Sequence, residues 1–216
     1  MRKKTFAAAA LLAAATMTLS ACGNGDDSAA PATVVAEETS KKPSTVLDQP
    51  FEKPDLVLTD THGKKYDLRK ETAGRPTLLY FGYTHCPDVC PLTMNNLAVA
   101  KKALPKAEQD KLRVVFVTTD PGRDTPAELG KWLNGIDPQF VGLTGDFATI
   151  QAGARSVGIT IEPTRKDKNG KLVSVHGAQV VAFSPKNDSG YVVYDEDAGV
   201  ADYTKDLPKL VEGQNP

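Results

Sequence analysis

The chain has 216 residues, with 26 Lys and Arg against 27 Asp and Glu, a formal net charge of −1. Arg2, Lys3 and Lys4 precede Cys22 with no acid among them, so residues 23–216 hold 23 basic and 27 acidic groups, near −4. No basic block remains to neutralise phosphates, which excludes a nucleic-acid partner.

Residues 1–22 are expected to be a targeting segment. Arg2, Lys3 and Lys4 form a basic start, and Phe6 to Met17 form an Ala/Leu-rich core of signal-peptide length. That core is shorter than the ~20 residues a permanent membrane span needs. Leu19-Ser20-Ala21-Cys22 matches the bacterial lipobox. Cleavage before Cys22 and its lipidation are therefore expected, giving a chain anchored to the extracytoplasmic face of the cell membrane. Diacylation supplies the two chains that stable anchoring requires. Residues 23–49 are rich in Ala, Ser, Thr, Asp, Glu and Pro without apolar periodicity, and read as a disordered tether. The folded domain is then 50–216, with structure expected from near Phe51.

Within it, Asp55 to Thr59 alternates like a strand, and Asp60-Thr61-His62-Gly63 turns the chain toward a partner strand at Lys64 to Leu68. His62, at that turn, reads as structural. Thr77 to Phe81 is a short buried strand leading into Phe81-Gly82-Tyr83-Thr84-His85-Cys86-Pro87-Asp88-Val89-Cys90-Pro91. A helix follows over Leu92 to Leu104 and ends at Pro105. Leu112 to Thr118 is a continuous apolar strand, as in the middle of a parallel sheet. The loop Asp120 to Pro126 leads into a helix from Pro126 to Leu133, capped by Asp124 or Thr125. A strand at Phe140 to Leu143 and a helix at Asp146 to Val157 come next. Lys168-Asn169-Gly170-Lys171 marks a hairpin between Thr160–Arg165 and Leu172–Val175. Strands at Gln179 to Phe183 and Tyr191 to Tyr194 precede a last helix from Ala201 to Val211, interrupted or begun at Pro208. A parallel half joined to an antiparallel edge is an α/β three-layer arrangement.

With Cys22 taken by lipid, Cys86 and Cys90 are the only thiols left. A disulfide closing so short a loop adds little stability, so the pair points to chemistry. With Pro87 in the first helical turn, the i, i+4 spacing puts both sulfurs on one side of the helix start. The helix N-terminus favours anions and lowers a thiol pKa. Such a pair can exchange with other disulfides or, as two soft thiolates, select copper(I), zinc or a similar ion. Metal use needs further ligands. His176, just before the Gln179 strand, is a ligand or a structural histidine. His85 adjoins Cys86, with its side chain expected to diverge. Asp120, past the end of the Leu112–Thr118 strand, faces the site edge or simply forms its turn.

Taken together, GYTHCPDVCP, TTDPGRDTP and the single His176 before a strand resemble the Sco/SenC family of copper chaperones for cytochrome c oxidase assembly. The resemblance covers roughly Phe51 to Val211. It implies a thioredoxin-like three-layer α/β/α fold with a mixed central sheet and an inserted β-hairpin. It also implies copper, as Cu(I) or Cu(II), held by Cys86, Cys90 and His176. The first acid of the family's DPxxDT loop, implicated near the copper, corresponds to Asp120, and the second to Asp124. Many members carry Asp just before the ligand histidine, where this chain has Val175. The implied role is a membrane-anchored metallochaperone that delivers copper to the copper-A centre of cytochrome c oxidase. Its partners would be the copper-A subunit and, as donor, another extracytoplasmic copper chaperone. The alternative is a thiol-disulfide oxidoreductase that reduces the same subunit's cysteines, with Cys86 and Cys90 as the redox-active pair. A thiol peroxidase needs a peroxidatic Thr/Cys environment with an arginine, which the sequence does not display.

Overall fold

The structure, a computed structural model, describes residues 43–170 and 172–216. The targeting segment 1–22, its cysteine Cys22 and the proposed tether up to residue 42 lie outside the described residues. Among the described residues, no helix is long and apolar enough to cross a membrane.

Three strands come first, β1 (Ser44–Glu52), β2 (Val57–Asp60) and β3 (Lys65–Asp67), then a helical turn α1 (Leu68–Glu71). The centre of the domain alternates β4 (Thr77–Gly82), α2 (Val89–Ala103), α3 (Lys106–Lys111), β5 (Arg113–Thr118), α4 (Pro126–Asn134), β6 (Val141–Thr144) and α5 (Phe147–Ser156). The hairpin β7 (Ile161–Lys166) and β8 (Leu172–His176) follows, then β9 (Val180–Phe183), β10 (Ser189–Tyr194) and α6 (Val200–Val211).

Eight strands form one sheet in the order β1-β10-β9-β4-β5-β6-β2-β3. Strands β4, β5 and β6 are parallel, and the flanking strands on both sides are antiparallel. The central strands read as unbroken apolar runs because helices cover both faces. Leu78, Tyr80, Val114 and Phe116 pack with Met94 and Leu97 of α2, Leu133 of α4 and Leu207 of α6. Leu79, Phe81, Val115 and Val117 point the other way, toward Leu68 of α1 and Ile150 of α5. The period of two along each strand thus separates the two helix layers. This is a thioredoxin-like α/β/α fold, and β7–β8 is the inserted hairpin, a separate two-stranded sheet.

Several boundaries differ from the sequence expectation. Strand β1 begins at Ser44, so Ser44 to Gln49 belong to the sheet and not to the tether. Its pairing with β10 shifts register between Val46 and Phe51. An irregular edge strand containing Pro50 carries no alternating pattern to read. Helix α2 begins at Val89, after the non-helical Asp88, so Pro87 lies before the helix and not in its first turn. Helix α6 runs through Pro208 without a break.

Candidate metal centre

Strand β4 ends at Gly82, opposite Thr118 at the end of β5. The Thr119 amide then bonds the Gly82 carbonyl at 2.6 Å, joining the loops that leave the two strands. A Cβ at Gly82 would lie 2.7 Å from the Tyr80 ring and 2.9 Å from Cys90 Sγ. Only glycine lets the chain pass this close to the sulfur. The loop turns through a bond from the Cys86 amide to the Tyr83 carbonyl and enters α2 with no side-chain cap at Asp88. The Cys86 sulfur supplies one instead, accepting the Cys90 amide at 3.4 Å. The helix-start setting expected for the thiol pair is present, although Pro87 is not what creates it.

The two sulfurs are chemically unequal. Cys86 is partly exposed and Cys90 is fully buried. The Cys86 thiol is held down to about 3, chiefly by the hydrogen bond from the Cys90 thiol. Backbone N–H groups of Asp88 and Cys90 add to this, and burial opposes it. The Cys90 thiol is pushed up, first by its bond to Cys86 and then by burial. In the metal-free state the pair is one thiolate beside one thiol.

His176 comes from the far end of the chain. It is the last residue of β8, paired with Ile161 of β7, and the Gly177 amide bonds the Thr160 carbonyl at 3.1 Å. Its Nε2 lies 3.4 Å from Cys90 Sγ. Its Nδ1 lies 3.0 Å from the Gly177 carbonyl oxygen. A carbonyl only accepts, so Nδ1 carries the proton and Nε2 keeps its lone pair for a ligand. This carbonyl orients the ring. The rings of Tyr83 and Tyr80 meet the imidazole edge-on, at centroid distances of 5.3 and 6.3 Å. The Tyr80 hydroxyl donates to Cys90 Sγ at 3.5 Å, and burial pushes its phenol far up, so it stays a donor.

The sulfurs of Cys86 and Cys90 and a ring nitrogen of His176 all lie within 4.8 Å of one another. Metal–ligand bonds of about 2.0–2.3 Å place donors roughly 3.5–4 Å apart around one ion, so the set needs little rearrangement. Two sulfurs and an imidazole form a soft donor set.

The remaining candidates do not join this cluster. Asp120 is buried and its carboxylate accepts from Arg123 Nε. The buried Asp124 binds the cysteine loop, accepting from the Thr84 amide at 2.9 Å and from the Thr84 and Thr118 hydroxyls at 2.6 Å each. His85 is half-exposed, with Nδ1 3.5 Å from the Asp124 carboxylate. His62 lies at the exposed β2–β3 turn near Asp60. Asp124, Tyr80 and Tyr83 were not singled out as site residues from the sequence. The available signals were the second acid of the DPxxDT motif for Asp124 and the strand period for Tyr80, which shares the α2-facing side with Leu78.

A family model described as SCO1/SenC matches residues 44–212. Bradyrhizobium japonicum ScoI, solved with copper bound, is 31% identical, covering 75% of this chain and 98% of that one with a TM-score of 0.62. The apo Sco1 protein of Thermus thermophilus is 28% identical, covering 76% of this chain and 94% of that one with a TM-score of 0.67. The mitochondrial protein SCO2 of Saccharomyces cerevisiae is 34% identical over 109 residues, 50% of this chain and 34% of the relative. The chain spans between about a third and two thirds of the length of the curated relatives it matches. The family match runs from β1 through α6, and this chain belongs to the SCO1/SenC family.

Proposed function

We propose that this chain is a copper chaperone that holds copper through Cys86, Cys90 and His176 and passes it to the copper-A centre of cytochrome c oxidase. The observation that carries this is the convergence of three soft donors within 4.8 Å, one from the loop after β4, one from the first turn of α2 and one from the end of β8. Solved relatives with copper bound and the resemblance of the motifs to oxidase-assembly chaperones support it. Two sulfurs and one imidazole suit three-coordinate copper(I), and copper(II) would add water or an acid. Oxidation of the cysteines to a disulfide removes two donors, which couples metal state to redox state. The lipobox supports anchoring through Cys22 at the extracytoplasmic face of the membrane, where the copper-A subunit and a donor chaperone would meet this domain.

The unequal thiols favour a second reading, reduction of the oxidase subunit's metal-ligand cysteines. A partly exposed thiolate at Cys86 is suited to attack a disulfide, with the buried Cys90 thiol positioned to resolve the mixed disulfide.

Anaerobic copper(I) titration of the full chain in detergent tests the first reading. The wild type is expected to take up one copper, with His176→Ala binding at least about tenfold more weakly. Equal binding by the two chains overturns the three-ligand centre. Stoichiometric copper transfer to a copper-A domain marks a chaperone. Metal-free reduction of that domain's disulfide marks a reductase.

A further inference from the structure

The sulfur of Cys90 has a tyrosine beside it. Tyr80 is fully buried on β4, and its hydroxyl donates to Cys90 Sγ at 3.5 Å. Tyr83, in the loop after β4, is also buried, 8% exposed. Both rings also pack edge-on against His176. Tyr80 therefore touches two of the three donors, Cys90 and His176, without being a ligand.

A thiolate bonds copper(II) by giving up electron density, more than it gives copper(I). A hydrogen bond to the sulfur draws on that same density, so it weakens the copper(II) bond more. We propose that Tyr80 is a positioning residue that biases this centre toward copper(I) through its hydrogen bond to Cys90. This rests on the copper-binding reading above. Bulk polarity does not explain the arrangement, because the Tyr80 hydroxyl is aimed at sulfur within an otherwise apolar wall of Leu97, Phe116 and Val180.

The test compares the wild type, Tyr80→Phe, Tyr80→Leu and Tyr83→Phe as full chains in detergent. Each is loaded separately with copper(I) and copper(II). The readouts are the two affinities by competition, the sulfur-to-copper(II) charge-transfer band, and the potential of the bound copper. Tyr80→Phe is expected to lower the copper(I)-over-copper(II) affinity ratio about tenfold. For a one-electron couple that is a fall of about 59 mV. The charge-transfer band moves to lower energy, because a sulfur freed of its hydrogen bond is the better donor. Tyr83→Phe leaves that hydrogen bond in place and is expected to shift none of the readouts, and Tyr80→Leu carries the test if Tyr80→Phe does not fold. If the wild type binds copper but loss of the Tyr80 hydroxyl shifts neither band nor potential, Tyr80 is a packing residue and the proposal fails alone. If the wild type binds no copper, the underlying reading fails with it.

Discussion

Cys86 and Cys90 are four residues apart, yet one sits partly exposed over a helix N-terminus and the other beneath it. The depressed thiol of Cys86 keeps its thiolate as pH falls, losing it only near about 3, whereas an ordinary cysteine is protonated below about 8.5. Iodoacetamide should therefore label Cys86 of the metal-free chain at about pH 5, with Cys90 unlabelled. Mass spectrometry of the two sites checks this, and equal labelling contradicts the assignment. Gly82 offers a second test at this scale. An alanine there crowds the Tyr80 ring, Cys90 Sγ and Phe116 at 2.7, 2.9 and 3.1 Å. Gly82→Ala should cost about 1–3 kcal/mol in urea unfolding and weaken metal binding by displacing the Cys90 sulfur. The glycine is visible in the sequence, but the three atoms it makes room for come from a strand, a helix and the neighbouring strand.

At the scale of elements, the site is held by two loops that leave adjacent parallel strands β4 and β5. Asp124 fastens one to the other with three accepted bonds from Thr84 and Thr118. Asp124→Ala strands those buried donors and should cost about 2–4 kcal/mol. Chemical denaturation measures that cost, and copper(I) affinity should fall with it; loss of stability with unchanged affinity would show that the loop stays in place unaided. Most of the elements were legible beforehand: the β4 and β5 runs, the Thr125-Pro126 start of α4 and the Asn169-Gly170 hairpin each carry a local signal. The misses share a cause. The β1 strand has its partner near the end of the sequence, and the beginning of α2 is set by the Cys86 sulfur in place of a side-chain cap at Asp88. Neither leaves a periodic trace in its own residues.

Across the whole molecule, β1 closes one edge of the sheet by pairing Ser44 to Val46 and Phe51 to Glu52 with β10. A chain begun at Phe51 leaves most of the β10 edge open. Its melting temperature should fall relative to a chain begun at residue 41, by about 2–4 °C for each 1 kcal/mol lost, as expected of a domain of about 150–250 residues. Thermal unfolding by circular dichroism checks this, and equal midpoints would make β1 an ornament of the fold.

The sequence by itself determined the thiol pair, the alternation of strands and helices and the three motifs, because each is written in neighbouring residues. It left three possibilities open at the site: whether His176 is a ligand, whether Asp120 reaches the metal, and how the two cysteines share their charge. Tertiary structure decided where these groups lie. His176, 86 residues beyond Cys90, is brought to 3.4 Å from its sulfur. Asp120 is engaged by Arg123, and Asp124 holds the cysteine loop. Cys86 becomes the thiolate because a neighbouring thiol and backbone N–H groups converge on it. Ligand sets and charge are through-space properties, and no spacing along the chain encodes the distances that set them.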